Sequence, residues 1–233
     1  MRLGLTAAAA AAGRGLIIAS GLERDIFTAG NDLKELYGPL ISVESYRRFW
    51  GAQNTFIARL YRSPLVTVAA IRGACPAGGC ITALACDFRV QTEQGTLGLN
   101  EVAIGIPVPA FWMELFCKYT GPGRGEALLK TGRLLSPPQA LELGLLDAVV
   151  PKDRLLGAAE AAMAKLLQLP DPGRIATKTI LRQDLSRRWE KGWEAEVAPT
   201  VAMLKQPQVA NVLGAVMQRM SGKKKRKAPP SKL

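Results

Sequence analysis

The segment Leu65 to Ile71, "LVTVAAI", is β-branched and nearly all apolar. A strand of this kind has both faces covered. It runs into "RGACPAGGCITALACDFRV", where a Gly- and Pro-containing turn leads to a small-residue helix and then, through Asp87, to another strand. This order constrains the chain to an α/β protein with helices packed over its strands.

The flanking segments agree. "GLIIAS", ending at Ser20, is a short apolar run that predicts a buried strand and a turn. From Val43 to Arg62 the apolar residues Tyr46, Phe49, Trp50, Phe56, Ile57, Leu60 and Tyr61 recur at helical spacing, and Pro64 blocks continuation. Beyond Pro109 the pattern is helical: Ala110 to Tyr119, Gly123 to Thr131, Pro137 to Leu143, Asp153 to Leu167, Pro172 to Ser186, and two more before Ser221. Only "LLDAVV" interrupts as a strand. The alanine-rich opening, "MRLGLTAAAAAAGRG", is expected to be the end of a helix, with a weak transit peptide as the alternative. Residues 1–150 therefore form the α/β core, 151–221 a helical region, and 222–233 a basic tail.

The 233 residues include no histidine. Ser-His-Asp triads, Cys-His pairs and histidine-ligated zinc are excluded, so a general base must be a carboxylate, lysine, tyrosine or cysteine. Cys75, Cys80, Cys86 and Cys117 show no CxxC pairing, which fits buried thiols in a reducing compartment rather than a metal or redox site. No apolar run reaches the roughly 18 residues of a membrane-spanning helix. The net charge is +12, but Lys223, Lys224, Lys225, Arg226, Lys227 and Lys232 carry half of it, so the body is only moderately basic. Such a balance favours anionic ligands, including nucleotide-bearing small molecules.

Two small-residue turns carry potential chemistry: "FTAGNDLKEL" at Phe27 to Leu36 and "GACPAGGC" at Gly73 to Cys80. Each is expected to follow a strand and precede a helix, where free backbone N–H groups can hold a developing oxyanion. Turns of this type also occur for packing alone, and neither matches the GxxxxGK[ST] or GxGxxG phosphate motifs. Downstream, "TLGLNEVAIGIP" sets one acid, Glu101, among Leu97, Leu99, Val102, Ile104 and Ile106. It is either a surface residue of an ordinary loop or a base with a raised pKa.

Taken in order, "FTAGNDL", "GACPAGGC…ACD" and "GLNEVAIGIP" resemble the crotonase superfamily of enoyl-CoA hydratases and isomerases, from about Gly15 to near Gln208. "GACPAGGC" with "LNE" looks most like the delta3,delta2-enoyl-CoA isomerases of fatty-acid oxidation. The resemblance implies a spiral of ββα units with C-terminal helices that mediate a homotrimer. It places the thioester oxygen between the N–H groups of Asn31 and Gly78, lines the acyl-CoA site with Ala29, Gly30, Asp32, Leu33 and Asn100, and makes Glu101 the catalytic carboxylate. It implies no metal and no separate cofactor, coenzyme A being part of the substrate.

Two departures matter. Hydratases of the superfamily hold water with a second glutamate three positions after the oxyanion glycine, and here that position is Ile81, which argues for isomerisation. The strands and helix that normally precede "RGLIIAS" are also expected to be absent, the sequence being either an incomplete gene product or one that has lost part of the first ββα unit, which would leave a sheet edge and apolar surface exposed. The terminal Ser231, Lys232 and Leu233 form the tripeptide read by the peroxisomal import receptor, which makes the peroxisome the expected compartment and the mitochondrion the alternative. The run "KKKRK" suits a nuclear signal or nucleic-acid contact, but without a nucleic-acid fold signature it argues for a solvated tail. A hydratase-like enzyme and a noncatalytic acyl-CoA- or RNA-binding relative are the competing functions.

Overall fold

The structure, a computed structural model, describes residues 13–225. The expected N-terminal helix falls almost wholly outside them, as do Ser231 to Leu233.

Strands β1 (Gly15–Ala19), β2 (Val66–Pro76), β3 (Phe88–Gly98) and β4 (Ala148–Val150) form a parallel sheet in that spatial order. Within the described residues β1 lies at one edge of it. Both faces are covered, as the apolar runs require. Val66, Val68 and Ala70 of β2 pack with Ile17, Val90, Leu155, Ala159 and Met163 on one side. The alternating Ala69 and Ile71 join the larger core on the other.

Nine α-helices are present among the described residues. They are α1 (Val43–Tyr61), α2 (Gly78–Leu84), α3 (Ala110–Thr120), α4 (Pro122–Thr131), α5 (Pro137–Glu142), α6 (Leu155–Leu167), α7 (Asp171–Gly192), α8 (Val197–Leu204) and α9 (Pro207–Lys225). Ser42 and Ser45 form a reciprocal capping box that starts α1. Helix α7 continues to Gly192, beyond the expected Ser186, because Trp189 is fully buried in the main core and holds the extra turns down. Leu185, Trp189, Val197, Val201 and Leu204 share that core with α1 and α2, so the helical region packs back onto the α/β unit.

Two corrections concern the turns. "RGACP" belongs to β2, which ends only at Pro76, leaving Ala77 as the sole residue between strand and helix. After "FTAGND" there is no α-helix. Asp32 caps a single 3₁₀ turn, Leu33–Glu35, through its Lys34 N–H (3.0 Å), and a second such turn at Gly38–Leu40 carries Pro39, whose ring and missing N–H oppose α-helical continuation.

The β2–β3 register shifts between Ile71 and Gly73, whose partners are Gln91 and Gly95. Thr92 Oγ1 accepts from the Gly73 N–H (2.9 Å) and Gln91 Nε2 donates to the Gly73 carbonyl (2.7 Å), closing the irregularity. Past it, pairing resumes to Pro76 opposite Gly98. Ile26 bridges Ala74 in parallel, with Phe27 N–H donating to Ala74 (2.9 Å) and Ala74 N–H to Asp25 (3.1 Å). Ile26, Ala74 and Thr96 thus form one rung. Because all three segments run the same way, Asn31, Gly78 and Glu101 emerge within five residues of it at one end of the ladder.

Candidate active site

At that end lies a cavity of about 1900 Å³, walled mainly by apolar residues of α1, α3, α8 and α9 together with the two turns. Ala29, Gly30, Asn31, Asp32, Leu33, Asn100 and Glu101 all line it; Gly78 does not, although its chain neighbour Ala77 does.

The two turns touch. Gly30 has φ +87°, and a Cβ there would lie 3.2 Å from the Ala77 Cβ and 3.9 Å from the Gly78 nitrogen. Only glycine combines that left-handed backbone with that approach. The neighbouring turn is strained, and not at a glycine: Ala77 holds φ 53° and ψ −128°, a conformation costing a non-glycine residue about 1–3 kcal/mol. Its N–H donates to the Gly98 carbonyl (2.8 Å), which pins the turn to the end of β3. Among the described residues, the N–H groups of Asn31 and Gly78 meet no backbone acceptor.

Glu101 opens a 3₁₀ turn, Glu101–Ile104, and is only 4% exposed. Neither carboxylate oxygen has a hydrogen-bond partner. Loss of hydration penalises the anion and pushes its pKa up to about 7, opposed by the nearby N–H of its own backbone, which is not placed to make a hydrogen bond. An ordinary structural carboxylate is paired when buried; this one is not. Ile81, by contrast, is fully buried in α2 among core residues and offers no polar atom.

Sequence reasoning did not find several residues that shape this site. Trp112 of α3 is 1% exposed, its indole N–H has no partner, and its Cη2 lies 3.4 Å from where a Cβ at Gly78 would be. Its ring packs 5.7 Å from that of Trp50, which stacks on Tyr46, so an aromatic wall faces the turns. Glu196 also lines the cavity, but its oxygens accept from Trp50 Nε1 and the Ala110 N–H (both 3.2 Å), tying α3 to α1. Burial raises its pKa and those two hydrogen bonds oppose the rise. Glu114 is not part of the site: it is half-exposed and paired with Arg188. These residues come from helices far apart in the chain, and in the sequence they read only as apolar periodicity or surface charge.

The cysteines are all unpaired among the described residues, with Cys75, Cys80 and Cys86 fully buried and their thiol pKa values raised by burial. No group of three His, Cys, Asp or Glu converges there, and no described helix is long and apolar enough to cross a membrane.

Comparison with known proteins gives a consistent picture. The model of the enoyl-CoA hydratase/isomerase family matches residues 7–221. "Enoyl-CoA delta isomerase 1, mitochondrial" of Mus musculus is 35% identical over 213 residues, which are 91% of this chain and 73% of that protein. The solved structure of human mitochondrial delta3-delta2-enoyl-CoA isomerase superposes with a TM-score of 0.84 at 34% identity, covering 92% of this chain and 82% of that one. An enoyl-CoA hydratase structure from Bacillus halodurans gives a TM-score of 0.78 at 26% identity, over 87% of this chain and 81% of its own.

Proposed function

The chain belongs to the enoyl-CoA hydratase/isomerase family, and from that premise we propose that it is a delta3,delta2-enoyl-CoA isomerase, moving the double bond of a 3-enoyl-CoA into conjugation with the thioester. The observation that carries this reading is Glu101: one buried, unpartnered carboxylate beside two converging turns, with Ile81 where a hydratase would need a second acid.

Glu101 takes a proton from the carbon alpha to the thioester. The electron pair moves into the dienolate, whose oxygen is stabilised by the N–H groups of Asn31 and Gly78. The same carboxyl then returns the proton to the gamma carbon, giving the 2-enoyl product with no net change in protons. A pKa near 7 suits both directions of transfer. The apolar cavity supports the reading in two ways, by accepting the acyl chain and by keeping water from the dienolate. Asn100 flanks the base, and Ala29, Gly30, Asp32 and Leu33 form the mouth against which the acyl-CoA lies.

The test follows formation of the conjugated 2-enoyl thioester from a 3-enoyl-CoA. Glu101→Gln should lose kcat by roughly 10²–10⁴-fold while keeping acyl-CoA affinity. A folded variant with near-normal turnover would remove Glu101 from the mechanism, and an inactive wild-type protein that still binds acyl-CoA would make the chain a binding relative. Hydration of 2-enoyl-CoA by the same preparation should be much slower than isomerisation.

A homotrimer is proposed through the C-terminal helices; the exposed Leu156, Ile180 and Leu181 support this by offering apolar surface. For the compartment, the relatives' printed names support the mitochondrial alternative over peroxisomal import through Ser231–Leu233. Imaging of the full chain with and without that tripeptide separates the two. The basic tail is proposed to be solvated, with only weak, salt-sensitive attraction to nucleic acid.

A further inference from the structure

At the cavity wall, Asn31 of the first turn pairs its side-chain amide with that of Gln53 of α1. Asn31 Nδ2 donates to Gln53 Oε1 (3.1 Å) and Gln53 Nε2 donates to Asn31 Oδ1 (2.6 Å). In such a closed ring each amide dictates the orientation of the other, since flipping either one opposes donor to donor and acceptor to acceptor. The ring lies directly on Gly78: a Cβ there would come 2.8 Å from Asn31 Oδ1 and 2.9 Å from Gln53 Nε2. One contact therefore joins three elements, the turn bearing Asn31, the start of α2, and α1.

The parts differ in how firmly they are held. Helix α1 is anchored on both sides of Gln53, by the buried Trp50 and by Asn54, whose amide donates to the Trp50 carbonyl (2.8 Å) and accepts from Trp189 Nε1 (2.5 Å). Gly78 is held by the body of α2, every residue of which is buried. The segment bearing Asn31 is fixed at Phe27, through its N–H on Ala74 and its burial in the core, and again at the buried Leu36, but between them the other hydrogen bonds beside Asn31, the Gly30 N–H on Thr28 Oγ1 (3.2 Å) and the Asp32 cap, are local. Among the described residues, the amide ring is the side-chain hydrogen bonding that ties Asn31 to the elements across from it.

We infer that Gln53 is a positioning residue for the oxyanion site, locking the Asn31 turn against Gly78 and so setting the spacing of their two N–H donors. The inference rests on the oxyanion role proposed above for Asn31 and Gly78. Gln53 does not touch the substrate; it acts through Asn31. Removing it frees the Asn31 side chain to rotate and the turn to drift, which weakens stabilisation of the dienolate more than binding of the ground-state thioester.

The experiment measures kcat and KM for a 3-enoyl-CoA in Gln53→Leu, Gln53→Asn and the exchanged pair Asn31→Gln/Gln53→Asn, with Glu101→Gln as control. Gln53→Leu should lower kcat by roughly tenfold or more with KM changed less than about twofold. Gln53→Asn, one methylene too short to close the ring, should lose activity similarly, and the exchanged pair, which restores the combined length, should exceed Gln53→Asn even though Asn31 itself lines the site. Should Gln53→Leu fail to fold by circular dichroism, Gln53→Glu keeps the volume while removing the donor to Asn31 Oδ1, and should show the same fall in kcat. Full kcat in these single variants, with Glu101→Gln inactive, would overturn the role of Gln53 and leave the isomerase reading standing. An exchanged pair no better than Gln53→Asn would overturn it as well. Wild-type protein without isomerase activity would instead overturn the isomerase reading on which the inference rests.

Discussion

Asp87 and Glu101 stand at opposite ends of strand β3, and the fold treats them oppositely. Asp87, just before the strand, accepts from the Thr67 N–H (2.9 Å) and Lys178 Nζ (2.7 Å) and pairs with Arg182 at 3.1 Å. Lys178 in turn donates to the Leu65 carbonyl, and the Arg182 guanidinium lies 4.6 Å from the centroid of the Tyr61 ring. Glu101, just past the strand, has no partner for either oxygen. The N-terminal end of the ladder is thus charge-satisfied and joins α7 to the sheet, while the C-terminal end keeps an acid unsatisfied where it can react. A buried charge that serves structure is paired; the one proposed for proton transfer is left without a partner.

Removing each acid should therefore move stability in opposite directions. Asp87→Ala leaves Lys178 and Arg182 largely buried without their anion, and should cost about 3–5 kcal/mol in urea unfolding. Its turnover per folded molecule should stay within about twofold of wild type. A loss under about 1 kcal/mol would erase the contrast.

Glu101→Gln should do the reverse. The folded carboxyl titrates near 7 and the unfolded one near 4.5, so the penalty for ionising it is absent below about pH 4.5, grows between, and is complete above about 7. The variant should accordingly exceed wild type by up to about 3 kcal/mol at pH 8 and by little at pH 4. In the active wild type, kcat/KM should rise with pH through the same midpoint near 7. A stability difference independent of pH would mean that Glu101 finds a partner in solution.

The smallest expected effect tests the turn at the same C-terminal end of the ladder as Glu101. Ala77→Gly removes the penalty of φ 53° but adds backbone entropy to the unfolded chain, for a net gain of about 1 kcal/mol or less by thermal unfolding. A clear destabilisation would place the value of Ala77 in its contact with Gly30 rather than in its backbone.

Most of the fold was legible because its signals are local: both-face apolar runs for β1 and β2, helical spacing for α1, and prolines at helix starts. The chemistry was legible for a different reason. With histidine absent, a base had to be a carboxylate, lysine, tyrosine or cysteine, but the acid in "TLGLNEVAIGIP" stayed open between loop residue and base until the family resemblance implied its role and those of Asn31 and Gly78. The helix expected after "FTAGNDL" was misread because a strand-to-helix turn and a strand-to-3₁₀ turn share the same residues at their start; the Gly38–Pro39 break comes later.

By itself, then, the sequence determined the strand and helix order, the absence of imidazole chemistry, and the identity of the one acid set among apolar neighbours. Tertiary structure alone decided that Glu101 loses its water without gaining a partner, that Glu196 is a tie between α1 and α3 rather than a second base, and that Gln53 reaches Asn31 across Gly78. The physical reason is range. Propensity and periodicity act over a few residues, whereas desolvation and hydrogen-bond pairing depend on which distant segments the parallel register and the packed helices bring within 3 Å of one another.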